Sequence, residues 1–117
     1  MKQLARLLSE KRIERWVEEV CSGFPSKVRL KEEITPLSVS TRWSLRHASL
    51  LPMRTRFTAI FVFRFDMNGS KREIICILHN HQLGNPANDA LSIWHCVVDC
   101  LARYTFNSHE NERNERC

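Results

Sequence analysis

Glycine and proline are scarce, three and four residues among 117. So few chain breakers leave little room for a low-complexity segment or a long flexible linker. A single α+β domain is expected over residues 1–106. No internal repeat is visible. No apolar run approaches the roughly 18 residues that a membrane-spanning helix needs. One of the longest, Ala59 to Phe63, suits a strand. The N-terminal MKQLARLLSEKRIERW is charged throughout and lacks the apolar core of a secretory leader. A cytoplasmic protein without membrane contact is therefore expected.

Cysteine is present five times, as Cys21, Cys76, Cys96, Cys100 and Cys117. An odd count without a leader argues against a disulfide framework, and the inner four are expected to be buried thiols. The chain also lacks a glycine-rich phosphate loop and a nucleophile elbow. Its close carboxylate pairs, Glu18-Glu19 and Glu32-Glu33, suit solvated faces better than acid–base work. No enzyme activity and no cofactor are expected. His79 and His81 are spaced to share a metal on one face of a strand, with His47 as a third ligand. Histidines at a strand end are ordinarily polar rim, so no metal site is assigned.

What the chain does have is a hairpin. TRFTAIFVFRFDMNGSKREIICILHNH, Thr55 to His81, reads as two strands joined at Asn68-Gly69, a dipeptide suited to a two-residue type I′ turn. Met67 then faces Ser70, and the other pairs follow. Phe57, Ala59, Phe61, Phe63 and Phe65 fall on one face. Thr58, Ile60, Val62, Arg64 and Asp66 fall on the other. Arg64 meets Glu73 and Asp66 meets Lys71, two opposite-charge pairs that a one-residue slip would break. The same register places Phe57 opposite Asn80 and Thr58 opposite His79.

Residues 2–21 show helical spacing of Leu4, Leu7, Leu8, Ile13, Trp16, Val17 and Val20, with Gly23 as a C′ residue and Pro25 as a stop. Lys27 to Ile34 reads as a first strand, broken by Thr35-Pro36. Leu37 to His47 alternates as a second strand, with Trp43 on one side and Arg42 on the other. Asn85 and Pro86 open a last helix as N-cap and N1. That helix runs to about Tyr104 with a narrow polar stripe of Asn88, Ser92, His95, Asp99 and Arg103. Such a helix is expected to lie between the phenylalanine face and the first helix. Residues 107–117 are polar and expected to be a disordered tail. The order α-β-β-β-β-α, with short connections, predicts a four-stranded antiparallel meander backed by two helices.

The net charge is +5, and it is local, because residues 25–56 carry seven cations against two anions. With Trp43 turned inward, the outer sheet face becomes an aliphatic patch rimmed by arginine. Such a patch marks an interface, and arginine suits phosphate. Its predicted members are Arg29, Lys31, Arg42, Arg46, Arg54, Arg56, Ile60, Val62, Arg64, Ile75 and Ile77. The expectation is a small non-catalytic basic protein that binds nucleic acid in a regulatory or accessory role. The alternative is a protein-interaction module (an inhibitor, immunity factor or adaptor) that forms a homodimer through the outer sheet face.

Overall fold

The computed structural model describes residues 2–31, 33–45, 55–67, 69–106 and 114–116. Helix α1 spans Lys2–Ser22, followed by strands β1 (Val28–Arg29), β2 (Glu33–Leu45), β3 (Arg56–Met67) and β4 (Ser70–Gln82). Helix α2 spans Pro86–Phe106, and a short strand β5 spans Asn114–Arg116. The sheet order is β1-β2-β3-β4-β5. The first four strands form the expected antiparallel meander between two helices.

The β3–β4 hairpin carries the register predicted from its turn. Met67 pairs with Ser70, Asp66 with Lys71, Arg64 with Glu73, and so on to Ala59 with Leu78. Gly69 has φ of +84°, and its N–H donates to Asp66 Oδ1 at 3.1 Å. Beyond Leu78 the register departs from expectation. Phe57 pairs with His81, not Asn80, because β4 carries a bulge there. Asn80 supplies it with φ of +50°, a left-handed conformation that asparagine tolerates better than most residues.

The alternation of β3 sets the core. Phe57, Phe61, Phe63 and Phe65 are all fully buried. Both helices lie on this face, side by side. Trp16 of α1 meets Phe57 edge-on at 5.1 Å, and Trp94 of α2 meets Phe63 at 5.9 Å. Phe24 stacks on Trp94 and joins the two helices over the sheet. The fold therefore has two layers, and α2 is not sandwiched between α1 and the sheet as its narrow polar stripe suggested. The stripe itself, Asn88, Ser92, His95, Asp99 and Arg103, is exposed as expected. Asn85 caps α2, its Oδ1 accepting from the Ala87 N–H at 2.9 Å.

Three other expectations are corrected. Lys27–Ile34 is not one strand. The chain folds back after Arg29, so Val28 pairs with Ile34 and Arg29 with Glu33. A Lys27–Glu33 ion pair at 2.9 Å spans the same turn. Thr35-Pro36 does not break β2. The strand absorbs the proline through a bulge between Pro36 and Ser38, leaving Leu37 exposed. Leu4, Leu7 and Leu8 are more than half exposed despite their helical spacing. The buried stripe of α1 begins only at Ser9, which shares a hydrogen bond with Thr55 at 3.3 Å, and continues through Ile13, Trp16 and Val20.

Of the stretch expected to be a disordered tail, 107–113 and 117 lie outside the described residues. Asn114–Arg116 add a parallel strand to β4 at Glu73–Ile75. An open edge offers backbone groups to any strand, whatever the polarity of its side chains. Cys100, expected as a plain thiol, is disulfide-bonded.

Candidate functional site

The bottom of the meander, away from the helices, is built from cross-strand rows. Arg42, Ile60 and Ile77 form one row across β2, β3 and β4. Ser40, Val62 and Ile75 form the next, and Ser38, Arg64 and Glu73 the one after. Period-two alternation forces this arrangement once the phenylalanines are buried. Ile60, Val62, Ile75 and Ile77 thus make a compact aliphatic square, half-buried by one another and covered by neither helix.

The rim carries charges of both signs, with cations in excess. Arg64 Nε lies 3.1 Å from Glu73 Oε2, and Lys71 stands opposite Asp66. Arg56 is half-buried and donates to the Asn80 carbonyl at 3.1 Å, which ties it to the β4 bulge. Arg42 is exposed among Ser40 and Ser44. At the hairpin end of the face, a depression of about 330 Å³ is lined by Leu37, Ser38, Arg64, Lys71, Arg72 and Glu73.

The predicted site residues divide accordingly. Arg42, Arg56, Ile60, Val62, Arg64, Ile75 and Ile77 share the outer face. Arg29 and Lys31 do not join them. They sit at the β1–β2 turn, and Arg29 faces Glu33 at the opposite end of β2 from Arg42. Arg46 and Arg54 lie outside the described residues, as do His47 and the loop around Pro52.

The histidine pair is separated by the bulge. His79 is exposed on the outer side, whereas His81 turns inward against Trp16 and Phe57, at centroid distances of 5.4 and 5.5 Å. Asp89 Oδ2 accepts from Trp16 Nε1 at 2.8 Å and lies 3.4 Å from His81 Nε2. This half-buried cluster fastens α1, β4 and the start of α2 to one another. Sequence reasoning gave Asp89 no part in a site and missed the cluster. Asn80, a residue that tolerates positive φ between two histidines, was the available signal. Among the described residues no group of three or more His, Cys, Asp or Glu side chains could hold a metal ion.

Cys76 faces the core from β4. Burial first, then the charge of neighbouring Cys96 and a hydrogen bond with it, together push its thiol up to about 11. A thiol so far above neutrality stays protonated and is a poor nucleophile.

Among the described residues no helix is long and apolar enough to cross a membrane. Comparison with protein-family models, with curated proteins and with solved structures gives no match.

Proposed function

We propose that this chain is a small non-catalytic binding protein that works through the outer face of its sheet, and that its partner there is another protein. The aliphatic square of Ile60, Val62, Ile75 and Ile77 carries the proposal. Four branched side chains in two adjacent rows, ringed by polar groups, have the layout of an interface core with a polar rim. The two opposite-charge pairs on the rim support the same partner class. Arg64 and Lys71 face Glu73 and Asp66, so the rim offers both signs to a protein surface.

A nucleic-acid partner is the second reading. It is favoured by Arg42, exposed and flanked by serines on the same face, and by the local excess of cations over residues 25–56. Two observations weigh on the other side. Single-strand platforms stack bases on exposed rings, and the ring-bearing residues of β3 are fully buried. Two of the outer-face cations, Arg56 and Arg64, also already have a carbonyl or a carboxylate beside them. A cytoplasmic setting belongs to the proposal. Cys21, Cys76 and Cys96 are in no disulfide, as a reducing compartment would keep them, while the disulfide at Cys100 weighs against it.

Salt separates the partner classes. Protein purified without nuclease is passed over a sizing column at low and at moderate salt, with absorbance read at two wavelengths. A partner held by the aliphatic square stays bound at both. Co-eluting nucleic acid that falls away steeply with salt would establish the second reading instead.

A further inference from the structure

Strand β2 has an edge that the described residues leave almost unpaired. Ser38 to Leu45 pair with β3 without interruption, from Ser38 with Arg64 to Leu45 with Phe57. On the other edge β1 reaches only Glu33 and Ile34. Ser38–Leu45 thus presents regular backbone whose outward N–H and C=O groups match those of a further strand. Natural sheets blunt such edges with charge, proline or a bulge. Here the proline and the bulge sit at Pro36–Leu37, before this stretch, and the one charge within it is Arg42. Val39, Trp43 and Leu45 run along the inner side of the same edge as half-buried apolar groups.

We propose that this edge pairs antiparallel with the same edge of a second copy, across a two-fold axis at Thr41, so that two sheets become one. The sequence of the edge is complementary to itself. In an isologous contact residue i meets j and j meets i. With the axis at Thr41, Val39 stands opposite the partner's Trp43, a β-branched residue against an aromatic ring. Ser40 stands opposite the partner's Arg42, Ser38 opposite the partner's Ser44, and Thr41 meets the partner's Thr41. Aromatic with β-branched and threonine with threonine are favoured cross-strand pairs. An axis at Arg42 would set two like charges directly against each other. An axis at Ser40 would bring Trp43 onto Leu37, where the bulge interrupts the strand. The contact differs from the outer face, and it would join the outer faces of both copies along their serine rows.

Light scattering coupled to a sizing column is expected to give twice the 13.8 kDa chain mass for the wild type. Ser40→Lys puts a cation opposite the partner's Arg42 at two symmetric places. Self-association is expected to weaken by about tenfold, with the circular dichroism unchanged. Combining Ser40→Lys with Arg42→Glu is expected to restore the dimer. As a test independent of charge, a mixture of Ser40→Cys and Arg42→Cys chains is expected to yield a crosslinked dimer under mild oxidation, well above either variant alone. A monomeric wild type overturns the proposal. So does a dimer that survives Ser40→Lys but dissociates on Ile60→Lys, which would put the contact on the outer face.

Discussion

Gly69 is the residue on which the hairpin register depends. Its φ of +84° is reached at little cost by glycine, and nothing lies within 4 Å of where a Cβ would stand. Gly69→Val therefore meets no packing obstacle, and its penalty is one of backbone conformation alone. The expected loss of stability is on the order of 1–3 kcal/mol, read from urea unfolding. A variant as stable as the wild type would mean the positive φ is not required. The pairs from Met67–Ser70 to Ala59–Leu78 were legible because a two-residue loop leaves one register open to them. The bulge at Asn80 was not. In Leu78-His79-Asn80-His81 no apolar alternation marks which side each residue takes, so a skipped residue leaves no trace in the pattern. The inward turn of His81, and its contacts with Trp16 and Asp89, were hidden for the same reason.

At the scale of elements, the junction of the two helices turns on Gly23. Its position after α1 suggested a left-handed cap, yet its φ is not positive. A Cβ there would stand 3.0 Å from the Ala90 Cβ, with the Val20 carbonyl at 3.4 Å, so an added side chain presses on α2. Gly23→Val would push α2 away from α1, and overpacking of this kind costs about 1–3 kcal/mol. Gly23→Ala should lose less, and a thermal melt of both variants checks the order. If valine is tolerated as well as alanine, the helices are not held in this contact. Helical spacing located α1 and α2 but not the extent of their burial. Leu4, Leu7 and Leu8 repeat as a buried face would, but the sheet-facing stripe of α1 begins at Ser9. A helix of 21 residues runs about 31 Å, and periodicity carries no information about where its support stops. The Val28–Ile34 hairpin was masked in a related way, since its two short arms alternate in phase and mimic one strand.

The described residues form a two-layer plate that leaves one face dry and the other without a covering helix, and the proposed activity rests on that asymmetry. Neighbouring positions on β3 report the two faces separately. Phe61 is fully buried, between Thr41 and Cys76 in the sheet and beneath Trp16 and Phe24. A lysine there would be an unpaired charge in an apolar core. That cost matches or exceeds the about 5–15 kcal/mol by which domains are stable. Ile60, one residue earlier, sits in the outer square beside Arg42 and Ile77, where a lysine can extend its amine to water along its own stem. The measurement is far-UV circular dichroism with chemical unfolding on Ile60→Lys and Phe61→Lys side by side. The account predicts that Ile60→Lys folds within about 1 kcal/mol of the wild type, while Phe61→Lys does not fold. Two unfolded variants would contradict it, because the outer face would then be a second core and not a surface for a partner.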